Sequence, residues 1–155
     1  MRQMPTISQR LTELRIDVPS VPGPFGAYVP GKRSGHLVYV SGQLPMKDGK
    51  LVAIGQVPSR CAIDDAKLAA RQCVVNALAA AATVVSLDQL TGVVRVGVFV
   101  SSDPTFTQQP QIANAASELL HEIFGLPGQH ARAAVGVSSL PLDASVEIEV
   151  LFQLA

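Results

Sequence analysis

The chain has 155 residues and balances 12 Lys+Arg against 12 Asp+Glu, a length that suits one domain over residues 1–155, with residues 1–18 as a helical extension. Zero net charge without a run of like charges argues against a nucleic-acid partner, because phosphate neutralisation needs a basic face. No apolar stretch approaches the ~20 positions of a membrane span and the opening MRQMPTISQR has no signal-peptide core, so no membrane partner and a cytoplasmic location are expected.

Between Pro5 and Asp17, Ile7, Leu11, Leu14 and Ile16 recur at helical spacing, with Thr6 or Ser8 as the cap. Pro19, Pro22 and Pro24 then force extended chain. The loop PGPFGAYVPG over 22–31 carries Phe25 and Tyr28, each of which reads either as a plug at the core edge or as the wall of a site. Leu37 to Leu44 is a strand, and the Gly of its Ser41-Gly42-Gln43 end marks either a bulge or a place where a ligand or another backbone comes close. Asp48-Gly49 is a hairpin turn signal, with Leu51 to Ile54 returning as a short strand.

From Ser59, read as an N-cap, the period changes. Asp64 and Asp65 occupy early turns, where the helix dipole favours anions, and Ala66, Ala69, Ala70, Cys73, Ala77, Leu78 and Ala81 follow in three- and four-residue steps. Small side chains there let the helix lie close to a sheet. In that helix Cys61 and Cys73 stand about 18 Å apart at ~1.5 Å per residue, beyond disulfide reach, so both are expected as free thiols. The 3 histidines, His36, His121 and His130, are scattered and give a metal site little support. Val94, Val96, Val98 and Val100 form the apolar row of the next strand. A second main helix, regular from about Gln111, buries Ile112, Ala115, Ala116, Leu119, Leu120 and Ile123. It ends at Gly125-Leu126-Pro127-Gly128.

The segment from His130 to Phe152 reads as a β-hairpin, because two Val/Ile-rich runs flank a turn containing Pro141 and Asp143. Alternation puts Ala133, Val135 and Val137 in one row and Arg132, Ala134, Gly136 and Ser138 in the other. On the returning strand Val146, Ile148 and Val150 are apolar, while Glu147, Glu149 and Leu151 point the opposite way. Burying both apolar rows together places Arg132 and Glu147 on one face. Two readings stand for that face: an ion pair on a wet sheet, or a cleft holding a fixed cation beside a carboxylate. The element order predicts a two-layer α/β (α+β) sandwich, a mixed sheet with two main helices on one face. The uncovered face is expected to pack against other copies of the chain.

Taken together, Tyr28 in its Gly/Pro loop, Ser41-Gly42-Gln43-Leu44-Pro45, Asn76-Ala77-Leu78, Ala131-Arg132-Ala133-Ala134-Val135, Leu140-Pro141 and Val146-Glu147-Ile148-Glu149 resemble the RidA (YjgF) family of reactive-intermediate deaminases, over about residue 23 to the C-terminus. The resemblance implies a chorismate-mutase-like fold, a homotrimer with clefts between subunits, and cofactor-free hydrolysis of imines and enamines derived from amino acids. It also implies that Arg132 holds a substrate carboxylate and that Glu147 positions or activates water. Tyr28, Ser41, Gly42, Asn114, Ala134 and Pro141 are then the substrate-binding positions. Family deaminases commonly carry Cys where Ala134 stands here, and this motivates a second hypothesis, a carboxylate-binding or regulatory module without turnover. RNA cleavage, a third, is opposed by the charge balance. No nucleophilic Ser or Cys is needed for imine hydrolysis, and Ser41 has no evident base in the sequence.

Overall fold

The computed structural model describes residues 3–21, 23 and 25–155. The expectation placed on Pro22 and Pro24 lies outside them. The first helix, α1 (Ile7–Glu13), starts at Thr6, whose hydroxyl accepts from the Gln9 amide while the Gln9 side chain accepts from the Thr6 amide. This reciprocal cap satisfies two amides that the first turn leaves unpaired, and Ile7 and Leu11 are buried.

Strands β1 (Gly31–Ser34) and β2 (Leu37–Gln43) form an antiparallel pair. The short β3 (Met46–Lys47) and β4 (Lys50–Leu51) pair around Asp48 and Gly49 at φ 51° and 77°, the two positive values that a tight hairpin turn of this kind requires. Helix α2 (Ile63–Ala81) is capped by Ala62, not Ser59. Ser59 instead donates its backbone N–H and its hydroxyl to the Asp103 carboxylate, at 2.9 and 2.7 Å. Cys61 therefore precedes the helix; it and Cys73 are buried free thiols.

The chain continues through β5 (Leu90–Ser101), α3 (Gln109–Phe124), β6 (Ala131–Val137) and β7 (Val146–Leu154). Pro110 does not delay α3, because a helix's first turn has no use for its missing N–H. The main sheet runs β1-β2-β7-β5-β6, with β5 and β6 parallel and every other pair antiparallel. Its core-facing rows, among them Val38, Val96, Val98, Val100, Ile148 and Phe152, are fully buried in the same core as the apolar stripes of α2 and α3. The mixed α+β sandwich expected from the sequence is the architecture found.

Two details differ from expectation. The β5–β7 ladder shifts between Val93 and Arg95, so Val93 takes the buried place and Val94 is exposed. Such a bulge reverses the side-chain alternation at one point. The larger difference is that β6 and β7 do not form a hairpin: β5 lies between them. Arg132 is level with Val96 and Val150, both buried in the core, whereas Glu147 is level with Phe99 and Val135 on the opposite face. Residues level across a ladder share a face. Arg132 and Glu147 therefore lie on opposite faces of the sheet, correcting the reading that put them on one.

The same register explains the small residues of β6. A Cβ on Gly136 would come within 2.6 Å of the Gln109 side chain and 3.1 Å of the Ser102 hydroxyl. Ala134 also packs against the core. The small row is crowded by the chain's own residues on the covered side. The open face carries Val135 and Tyr39, both well exposed, together with the Arg95–Glu149 pair at 3.6 Å.

Candidate active site

Two clusters hold the residues singled out from the sequence. The first is built where α3 crosses the edge strand β6. Asn114 and Ser117 are one helical turn apart on α3, and spacing of this kind puts both side chains on one side of the helix. Arg132 reaches them from β6: its Nη1 donates to Asn114 Oδ1 at 2.8 Å and to Ser117 Oγ at 3.2 Å. Both hydrogens of that nitrogen are thus used. The Nε and Nη2 edge keeps three N–H groups, the fork that matches a carboxylate.

Ser117 Oγ also lies 2.9 Å from His130 Nε2, and His130 Nδ1 lies 2.6 Å from the Gly128 carbonyl oxygen. A carbonyl only accepts, so Nδ1 carries the proton, and in the neutral ring Nε2 accepts from Ser117. Burial pushes the His130 pKa down; the hydrogen bond to the Gly128 carbonyl opposes this in part, and nearby Arg132 adds a weaker downward push. An open depression of about 770 Å³ lies against these groups, lined by Ser117, Glu118, His121, Glu122, His130 and Arg132 among others.

The second cluster lies at the β2 bulge. The pairing of β2 with β7 slips between Val40 and Gln43, which frees Ser41 and Gly42 from the regular ladder. Ser41 Oγ donates to the Val29 carbonyl at 2.7 Å, and its amide donates to the Pro30 carbonyl at 2.9 Å, so Ser41 holds the loop that carries Tyr28. Tyr28 is 62% exposed, which excludes the core-plug reading; its ring stands 6.0 Å from that of Phe25. Glu147 lies directly against Gly42, where a Cβ would collide with its Oε1. Its carboxyl accepts no hydrogen bond among the described residues, and burial, then the neighbouring Glu149, raises its pKa. A carboxylate of this kind takes up a proton more readily than a solvated one.

The structure thus joins Arg132 with Asn114, and Glu147 with Gly42, Ser41 and the Tyr28 loop, without joining the two groups. Ala134 shares the side of Arg132. Pro141 belongs to neither cluster. It opens the turn Pro141–Asp143 between β6 and β7, where Asp143 pairs with Arg60. Ser117 and His130 escaped the sequence reading. Their available signals were local: His130 stands two positions before Arg132, and Ser117 stands one turn after Asn114. Among the described residues, no three His, Cys, Asp or Glu side chains converge on a possible metal position. No described helix is long and apolar enough to cross a membrane.

A mixed five-stranded sheet carrying its helices on one face, with an arginine on the edge strand and a glutamate against a glycine bulge, defines an α+β protein, and its architecture matches that of E. coli YjgF with a TM-score of 0.61 at 27% identity, covering 86% of this chain and 93% of that one. Residues 19–153 match the endoribonuclease L-PSP family, and the chain belongs to that family, the RidA/YjgF family of the sequence reading. Protein TCP17 of Trypanosoma cruzi is 38% identical over 150 residues, 96% of this chain and 94% of that protein. The 2-iminobutanoate/2-iminopropanoate deaminase of Dermatophagoides farinae is 32% identical over 136 residues, 86% of this chain and 91% of that one. Among solved structures, Agrobacterium tumefaciens Atu1372, a protein of unknown function, is 41% identical with a TM-score of 0.86, covering 96% of this chain and 92% of its own. E. coli TdcF with bound serine is 25% identical with a TM-score of 0.60, covering 86% and 93%.

Proposed function

We propose that this protein hydrolyses small imines and enamines derived from amino acids to 2-oxo acids and ammonia, in clefts formed between copies of the chain. The observation that carries the reading is the Arg132 guanidinium, fixed through one nitrogen by Asn114 and Ser117 with its remaining edge free for a carboxylate. The mite deaminase relative and the serine held by TdcF support the same substrate class.

The opposite placement of Arg132 and Glu147 favours assembly. One chain cannot bring both to a single small molecule, so the Arg132 edge of one copy meets the Tyr28, Gly42 and Glu147 group of a neighbour. A homotrimer closes this arrangement with three equivalent clefts, and the exposed Tyr39 and Val135 of the open face become covered.

In such a cleft the substrate carboxylate is gripped by the Arg132 fork, leaving the imine carbon in front of Glu147. Water attacks that carbon and gives a proton to the Glu147 carboxylate as the C=N π pair moves to nitrogen. The carboxyl returns that proton to the nitrogen, giving a carbinolamine; Glu147 then takes the hydroxyl proton and passes it to the amino group as the C–N bond breaks and C=O forms, and ammonia departs. Raised proton affinity at Glu147 suits a group that must hold a proton between the two steps. No cofactor enters this chemistry.

The test is ammonia and 2-oxo acid release in the presence of an amino-acid oxidase that generates the imine. Added protein is expected to accelerate release, and Arg132→Ala to abolish that acceleration while the far-UV spectrum persists. Undiminished acceleration by the variant overturns the assignment. A second reading, a carboxylate-binding module without turnover, is favoured by Ala134 where family deaminases carry Cys; ligand-induced thermal stabilisation without any product identifies it.

A further inference from the structure

We propose that Ser117 and His130 are positioning residues of the Arg132 subsite, and that capture of a carboxylate there draws a proton onto His130. The inference rests on the reading of Arg132 as the carboxylate anchor and adds a device that this reading does not require.

The four groups form one directed hydrogen-bond chain. Arg132 Nη1 donates to Ser117 Oγ, Ser117 donates to His130 Nε2, and His130 Nδ1–H donates to the Gly128 carbonyl. A serine has one hydrogen to give, so while His130 is neutral the Ser117 hydrogen is committed to the ring and is withheld from any ligand. The backbone carbonyl at the end of the chain fixes this tautomer.

The charges around the ring decide what happens when an anion arrives. From its own segment His130 is faced by Arg132. From α3 it shares the depression with Ser117, Glu118, His121 and Glu122, and the Glu122 carboxylate is 3.6 Å from Arg71. Before an anion binds, burial foremost and, more weakly, the Arg132 charge favour the neutral ring, while the hydrogen bond to the Gly128 carbonyl favours the charged one. A bound carboxylate cancels the Arg132 charge and removes one of these causes. The ring then takes a proton from solvent at Nε2 and donates it to Ser117 Oγ. The Ser117 hydrogen, released from the ring, turns toward the ligand carboxylate. Atoms balance with one proton taken up for each carboxylate bound, and the subsite gains a hydrogen-bond donor and a second cation.

Linkage fixes the sign: a ligand whose binding takes up a proton binds more tightly as pH falls, by up to tenfold per pH unit for one full proton. Pyruvate, a stable 2-oxo acid, serves as the probe on the intact protein. Its dissociation constant is measured by calorimetry from pH 8.5 to 5.5, in buffers of differing ionisation heat so that protons are counted directly. The His130 ring is followed by NMR with and without pyruvate.

For the wild type we expect affinity to rise as pH falls, fractional proton uptake, and an upward displacement of the His130 titration on binding. For His130→Gln we expect an affinity that no longer follows this pH dependence. For Ser117→Ala we expect severalfold weaker binding across the range, with Ser117→Thr restoring it. Wild-type affinity independent of pH, an undisplaced His130 titration, or an unaltered pH dependence in His130→Gln each overturns the proposal, and the NMR measurement needs no variant to fold. Arg132→Ala separates the two levels. If it binds pyruvate as well as the wild type does, the anchor reading itself falls; if it does not bind while the wild type shows no proton uptake, only the His130 device falls.

Discussion

Replacing Gly42 by Ala tests the second cluster at a single atom. The new methyl group would occupy the space of the Glu147 carboxylate end, with Oε1 as its nearest neighbour and the side-chain carboxyl carbon at 3.0 Å. The obstacle is the tip of a flexible side chain, so the strand survives and Glu147 moves. Forcing that side chain off its preferred rotamer costs about 0.5–1.5 kcal/mol. Stiffening the unfolded chain by a Gly-to-Ala change returns about 0.4–1 kcal/mol. The two nearly cancel, and at about 2–4 °C per kcal/mol for a domain of this size the melting temperature stays within about 4 °C of wild type. Activity behaves differently, because displacing a catalytic group by about 1 Å costs on the order of 100-fold. Circular dichroism melts paired with the oxidase-coupled ammonia assay measure both quantities. Full activity in Gly42→Ala would refute the placement of Glu147 as the water-handling carboxylate.

Four further outcomes are expected. Arg132→Lys keeps the charge but lacks the planar fork, so pyruvate binding should weaken by about 10- to 150-fold, the equivalent of about 1.5–3 kcal/mol for a charge-assisted bond, read by calorimetry. The Glu147 pKa is raised in the fold, so its contribution to stability is fully present below the ordinary carboxylate range and is lost as pH rises through the folded value. Glu147→Gln should therefore melt higher than wild type at neutral pH, with the gap closing in acid. Phe152 is fully buried, with its ring 5.9 Å from that of Phe124; Phe152→Ala should cost about 3–5 kcal/mol and lower the melting temperature by roughly 6–20 °C. Burial raises the pKa of both Cys61 and Cys73, the latter strongly, so titration with a chromogenic disulfide should label Cys73 only as the protein unfolds.

Most of the elements were legible because periodicity is a local property. The Ala-rich stripe of α2, the Ile112 to Ile123 stripe of α3 and the strands at 37–44 and 93–100 follow from spacing alone. Strand partnership is not local. Pro141 and Asp143 announce a reversal of the chain, but turn chemistry cannot say whether two strands zip together or straddle a third. Here they straddle β5, and that one difference reverses the faces assigned to Arg132 and to its small neighbours. The family resemblance put Arg132 and Asn114 in one site, and the structure brings them into contact. The Ser117–His130 bond joins a helix to a strand entry and leaves no periodic trace, whereas the Gly42 bulge was visible as one of two readings of a glycine in a strand.

The place of β7 in the sheet also governs how the protein comes into being. This strand is translated after every strand it joins, yet it is the link between the β1-β2 hairpin and the β5-β6 pair. Until it emerges, two half-sheets with apolar flanks wait without a common middle, and the contacts that unite them span much of the chain. Such wiring slows folding and lengthens the exposure of sticky edges, so a nascent chain stalled before Val146 is the species most in need of a chaperone.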